Sequence, residues 1–290
     1  ISTWVIIPGN NSIRIVDFTK DVCIVLRKNG FRTEYFHNLI TLRLAHPELP
    51  GPRLYECNQL QGWYTEERIN GLPINRISTP LLAQKGLLAA RLAMKDLYCK
   101  TISSLTIDEW LGNHMELISK SIKTLPPIYR EHQIQQISNV ADHLFKHIMT
   151  LIPQRINFRI PLAMTHGDFQ PANIFIPKAS IHSSVYLIDW EYCGKRCLWY
   201  DSMVFNLHSR SPSDLAKRIH SWDRNPHLWS ELETILEFSS IFLYDKSIIL
   251  ATFLIEELLF RLLETNIPGL RSPDIGLLTF VHELSKSELI

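Results

Sequence analysis

Thr165-His166-Gly167-Asp168-Phe169-Gln170-Pro171-Ala172-Asn173-Ile174-Phe175, followed by Leu187-Ile188-Asp189-Trp190, is the stretch whose reading decides the fold. It lies in a non-helical island, residues 161–190, between long helical patterns. Two strand-like runs stand inside the island, at 173–176 and 185–188. A hairpin from Ile174 to Ile188 brings Asp189, sixteen residues on from Asn173, back beside it. A buried strand that delivers a carboxylate at its end is costly unless a cation meets it.

Those residue types suit one chemistry. Phosphoryl transfer to an alcohol needs a carboxylate to orient the hydroxyl and take its proton, and oxygen ligands that hold Mg²⁺ against nucleotide phosphates. Asp168 and Asn173 have the spacing of the Asp and Asn of a kinase catalytic loop. Asn173 offers a neutral carbonyl oxygen to a metal while its amide donates elsewhere. Taken singly, Asp168 reads as a turn former before Pro171, Asn173 as a strand start and Asp189 as a loop cap. Three such oxygen donors in this order, on these elements, favour the chemical reading. His166 is read as steadying the loop by hydrogen bonding, with a catalytic role as the alternative.

His166-Gly167-Asp168, Asn173 and Ile188-Asp189-Trp190-Glu191-Tyr192 together resemble the aminoglycoside phosphotransferase and choline kinase superfamily. The resemblance implies an α+β, two-lobed protein-kinase-like fold, with Asp168 as catalytic base and Asn173 and Asp189 as Mg²⁺ ligands. It implies ATP or GTP as donor, and a small-molecule alcohol or amino alcohol as acceptor: choline, ethanolamine, an aminoglycoside or a sugar. The run Ile188–Tyr192 leans toward the choline and ethanolamine branch, and Asp201 matches a downstream Asp of the family. Glu191, Tyr192 and Asp201 are thereby candidate substrate residues. Gly167 stands where the choline branch usually has Asn.

The N-terminal residues, 1–70, read as strands with one helix. Runs at 4–7 and 13–16 flank Pro8-Gly9-Asn10-Asn11 as a hairpin, a third run covers 23–26, a helix spans 33–44, and two strands follow at 53–57 and 62–69. Residues 71–290 then turn helical, with helices at 81–97, from the Thr106/Glu109 capping box to about 119, and from Pro126-Pro127 to about 151. Strands first and helices afterwards imply a small nucleotide-binding lobe and a larger helical one. By resemblance, Arg27 meets the nucleotide phosphates and pairs with Glu34, with Lys28 the neighbouring alternative. Backbone groups near Glu67 and Ile69 meet adenine, and Gly9 sits in the phosphate-covering turn, which has one Gly and no G-x-G-x-x-G.

Trp190, Glu191, Tyr192, Trp199, Tyr200 and Asp201 form an aromatic and acidic neighbourhood that suits a cationic acceptor, although half or more of the rings read as core. Glu256 and Glu257, adjacent on a helix, diverge by about 100°, which predicts one facing a cleft and the other solvent. His143 and His147 read as a solvated helix face rather than zinc ligands, and Cys193 and Cys197 as free thiols.

At 46% hydrophobic residues the chain can bury a core, which excludes a disordered class. The 30 Lys and Arg against 29 Asp and Glu give no field that favours nucleic acid or an anionic membrane. The apolar run 248–263 carries Glu256, Glu257 and Arg261 and reads as a buried helix rather than a membrane span. No signal peptide is read, and five cysteines without framework spacing predict reduced thiols in a cytoplasmic enzyme. The start at Ile1 rather than Met leaves open a natural N-terminus upstream. A protein kinase is disfavoured, since the loop lacks His-Arg-Asp and no Asp-Phe-Gly or Ala-Pro-Glu follows. The alternative from another class is a nucleotide-binding interaction module of the same fold that has lost turnover.

Overall fold

Alternating apolar residues in the first seventy positions build a sheet. β1 (Trp4–Pro8), β2 (Ser12–Asp17), β3 (Val22–Arg27), β4 (Leu54–Asn58) and β5 (Trp63–Glu67) form an antiparallel five-stranded sheet in the order β1-β2-β3-β5-β4. The structure, a computed structural model, describes residues 3–9, 11–29, 33–152, 158–178, 185–224, 245–265 and 274–287. Asp17 sets the β2–β3 turn: its Oδ1 accepts from the N–H groups of Thr19 and Lys20 at 2.9 and 3.0 Å. Register places Ser12 opposite Arg27, Arg14 opposite Val25 and Val25 opposite Tyr64. Residues two apart on a strand share a face, so Arg14, Val25, Arg27, Tyr64 and Glu66 line one side of the sheet.

Helix α1 (Thr33–Ala45) buries Tyr35, Phe36, Leu39, Ile40 and Leu42. Phe36 meets the Tyr64 ring at 5.8 Å, and Arg43 Nη1 donates to Glu66 Oε2 at 2.6 Å with both side chains buried. After β6 (Gly71–Pro73) comes α2 (Pro80–Thr101). β6 pairs with β9 (Ile174–Pro177), which pairs in turn with β10 (Tyr186–Leu187). The chain groups into two compact units, Ile1–Lys100 with Met164–Gly194, and Thr101–Ala163 with Lys195–Ile290. The decisive island therefore folds with the N-terminal sheet.

The second unit is mainly helical: α3 (Ile107–Lys123), α4 (Glu131–Leu151), α5 (Tyr200–Leu207), α6 (Leu215–Arg224), α7 (Lys246–Thr265) and α8 (Ile275–Lys286). The expected capping box opens α3, with Glu109 N–H donating to Thr106 Oγ1 and Thr106 N–H to Glu109 Oε2. α4 starts at Glu131 rather than at the proline pair, because Pro126 and Tyr129 close a turn and Arg130 N–H is capped by Gln133 Oε1 at 2.9 Å. Sequence periodicity missed three short strands here. These are β7 (Ser103–Thr106), β8 (Arg159–Thr165) and β11 (Gly194–Cys197), a sheet ordered β11-β8-β7.

α7 is buried nearly all round and packs against α3, α4 and α8, as a core helix does. Among the described residues no helix is long and apolar enough to cross a membrane. All five cysteines are free thiols. A β-sheet unit at the N-terminus and a mainly helical second unit match the expected α+β class.

Candidate active site

β8 delivers Thr165 and His166, and the chain reverses at Gly167, whose φ of +83° disfavours most L side chains. Asn is among the few other residues that tolerate positive φ. Asp168 follows, half-buried, and a 3₁₀ turn at Pro171–Asn173 leads into β9. The amide of Asn173 donates to the Asp168 carbonyl at 2.9 Å and to Asp168 Oδ2 at 2.8 Å. Gln170 Nε2 donates to the same Oδ2 at 2.9 Å. Two amide donors on one oxygen fix the plane of the carboxylate.

The predicted hairpin is present. Leu187 pairs with Ile174, and Ile188 N–H donates to the Asn173 carbonyl at 3.0 Å. That bond sets Asp189 beside Asn173. Asp189 is held in the left-handed region, φ 62° and ψ 47°, a conformation that a short polar side chain tolerates best. His166, fully buried, accepts at Nδ1 from Asp168 N–H (3.2 Å) and meets the Ile188 carbonyl through Nε2 at 2.8 Å. The carbonyl only accepts, so Nε2 is the donor of the ring and Nδ1 its acceptor. Trp190 lies against this imidazole at 4.6 Å, its Nε1–H donating to the Leu187 carbonyl at 2.8 Å. With both nitrogens bonded to main chain, His166 is placed as a brace of the loop.

Arg14 on β2 was not singled out from sequence. Its guanidinium forms an ion pair with Asp189 Oδ1. Burial works against the arginine's charge, but Asp189, Tyr64 and Glu66 outweigh it, so its pKa lies above the ordinary value. Its buried Nε has no acceptor among the described residues. The signal that could have found it is strand register, because Arg14 faces the same way as Arg27. Asn11 reads from sequence as a turn residue, within Pro8-Gly9-Asn10-Asn11. Its buried amide donates to Glu191 Oε1 at 3.1 Å and to the Tyr192 hydroxyl.

Arg27 ends β3, and its Nη1 donates to Thr33 Oγ1 at 3.1 Å, one residue before Glu34 in the first turn of α1. Gly62 (φ +71°) seats it: a Cβ there would come within 2.9 Å of the Arg27 side chain. Lys28 lies past the strand, its ammonium on the Gly9 carbonyl, while Gly9 N–H donates to Ser12 O at 2.9 Å. Glu67 N–H is taken up by the Arg53 carbonyl at 2.8 Å, and its carboxylate accepts from the Tyr186 hydroxyl at 3.1 Å. Ile69 follows two residues on, half-buried.

Two expectations about the acids and rings are corrected. Glu256 and Glu257 are both buried, because α7 is packed on all sides and has no solvent face. Glu256 accepts from Cys197 N–H through both oxygens at 2.9 and 3.1 Å, and burial raises it to about 7. Burial also pushes Glu257 up, but Arg210 and Arg261, at 2.8 and 3.1 Å, more than offset this and hold it below its ordinary value. The four rings are core rather than an open cation cage. Trp190, Tyr192, Trp199 and Tyr200 are buried, and Trp199 Nε1 and the Tyr200 hydroxyl bond to Thr252 and Glu257. Asp201 is buried in the first turn of α5, in the second unit.

The donor set fits a hard divalent cation. Because the Asn173 amide nitrogen faces two acceptors of Asp168, its Oδ1 is left as a neutral oxygen that could meet a cation. Asp189 already satisfies a cation, with Arg14 in that place. Among the described residues no cluster of three or more His, Cys, Asp or Glu could hold a metal.

No family model and no curated protein matches the sequence. Solved structures do match. A choline kinase from Streptococcus pneumoniae aligns with 96% of this chain and 92% of its own, at 14% identity and a TM-score of 0.56. A Plasmodium vivax ethanolamine kinase covers 97% and 80% at 16% identity and a TM-score of 0.56. A glucosamine kinase in complex with glucosamine, ADP and inorganic phosphate covers 98% and 75% at 11% identity and a TM-score of 0.52. These likenesses show that the chain has a kinase-like fold, the one seen in the solved choline, ethanolamine and glucosamine kinases.

Proposed function

We propose that this chain transfers a phosphoryl group from a nucleoside triphosphate, ATP or GTP, to a hydroxyl of a small molecule. The observation that carries the reading is the backbone bond from Ile188 to Asn173, which joins a fixed Asp168 carboxylate to an Asp189 carboxylate already paired with a cation. Asp168 takes the proton from the acceptor hydroxyl, the role a positioned carboxylate fills in this chemistry. Asn173 Oδ1 and Asp189 would hold Mg²⁺, whose charge offsets that of the nucleotide phosphates when bound. Arg27 contacts a phosphate, with Glu34 beside its anchor in α1, and Gly9 lies in the turn that covers the phosphates. Beyond Glu67, whose N–H is engaged, Ile69 supplies the backbone groups for adenine. The acceptor belongs among alcohols and amino alcohols, choline or ethanolamine first, as in the solved kinases of this fold, then aminoglycosides and sugars. Glu191 and Tyr192, tied to Asn11, brace the covering turn in this reading, and Asp201 stays with the helical unit.

The test is a nucleotide-consumption screen with choline, ethanolamine, thiamine, aminoglycosides and simple sugars, run on wild type and Asp168→Ala. Turnover on one acceptor class is expected. The variant should lose about 10²–10⁴-fold in turnover while Mg-nucleotide affinity changes little. Full turnover in the variant removes Asp168 as base. Mg-nucleotide binding with no phosphorylated product from any acceptor points instead to a non-catalytic module.

A further inference from the structure

Arg14 gives Asp189 a positive partner from the sheet rather than from solvent. The other acid on that sheet face, Glu66, is committed to Arg43 at 2.6 Å. Arg14 and Asp189 thus pair directly with each other, the Arg14 side chain 20% exposed and that of Asp189 35% exposed. A dication arriving at Asp189 meets a guanidinium already there, and like charges at one carboxylate repel. Phosphate oxygens remove the conflict, since they accept from a guanidinium bidentately. Arg14 also holds a buried Nε donor with no acceptor among the described residues, and shares its sheet face with Arg27.

We propose that Arg14 couples metal to nucleotide: it stands on Asp189 as counter-ion while the site holds no phosphate, and moves to the phosphates as the metal takes Asp189. The inference rests on the phosphotransferase reading, because it takes Asp189 to be the metal ligand. Its consequence is that neither ligand binds well alone and each strengthens the other by the same factor. A lone divalent ion, abundant in any cell, then does not occupy the site, and metal-free nucleotide is weakly held.

The experiment uses Mn²⁺ as probe, followed by electron paramagnetic resonance, with ADP binding measured separately by calorimetry in the presence of chelator. In Arg14→Gln, nucleotide-free Mn²⁺ should bind about tenfold tighter than in wild type and metal-free ADP about tenfold weaker, within the usual range of coupling factors. Arg14→Lys keeps the charge but not the bidentate fork and serves if the neutral variant does not fold; on both measurements it should fall between wild type and the change expected for Arg14→Gln. Unchanged Mn²⁺ and ADP affinities in Arg14→Gln overturn the coupling, as does a lysine variant that departs from wild type as far as the glutamine one is expected to. Asp189→Asn separates the two levels of the argument. If it leaves Mn²⁺ binding in the presence of ADP unchanged, Asp189 is not the ligand and the site reading itself falls.

Discussion

The imidazole of His166 donates through Nε2 to the carbonyl of Ile188 at 2.8 Å, across twenty-two residues of sequence. The same ring accepts the Asp168 N–H, so one side chain fastens the loop of the proposed base to the strand that carries Asp189.

Replacing His166 with Ala should therefore act through position. The variant loses two part-buried hydrogen bonds and the contact with Trp190, a cost of about 2–4 kcal/mol by urea denaturation. Turnover should fall about tenfold or more, with the pH–rate profile keeping its shape. A lost limb in that profile would show that the ring itself carries a proton.

The buried Arg43–Glu66 pair is the second test, because removing one partner strands a charge. Arg43→Leu or Glu66→Leu alone should each cost about 3–5 kcal/mol, whereas the double substitution should recover much of that loss. Equilibrium unfolding of the three variants measures the difference. Additive losses in the double variant would show that the pair is not a unit.

A third prediction concerns pH and the core of the helical unit. His114 stacks on Trp110 at 4.0 Å, with its Nδ1 at 2.8 Å from the Trp110 carbonyl and its Nε2 at 3.7 Å from Glu256. Burial lowers His114 from 6.5 to about 4 and raises Glu256 from 4.5 to about 7. Between pH 4 and 6.5 the unfolded chain holds a His114 proton that the folded chain lacks, so that group makes stability rise with pH. From pH 4.5 to 7 the folded chain holds a Glu256 proton that the unfolded chain has lost, so stability falls with rising pH. The two slopes cancel where they overlap. Glu256→Gln should uncover a gain of about 3 kcal/mol from pH 4 to 6.5, and His114→Phe a loss of about 3 kcal/mol from pH 4.5 to 7. Urea unfolding across that range checks both. Wild-type-like pH curves in both variants would rule out titration of these groups on folding.

The geometry of the island is legible in the sequence because it is local. Asp168, Gly167, Pro171 and Asn173 lie within one turn of chain, and the hairpin that returns Asp189 needs only two short strands and a connection. Local propensity and side-chain spacing carry such features. The strands β7, β8 and β11 were not legible, since each is short and becomes a strand only by pairing with a partner distant in sequence.

Sequence alone therefore determined the class of the N-terminal unit, the capping of α3 and the oxygen-bearing side chains of the candidate site. Tertiary structure decided what surrounds them. Arg14 reaches Asp189 only once β2 is registered on β3, and Glu256 and Glu257 share burial only once α7 is enclosed by its neighbours. The physical reason is that chain periodicity tells which residues share one face of an element, whereas the charge, burial and partner of a side chain are set by whichever distant element closes over that face.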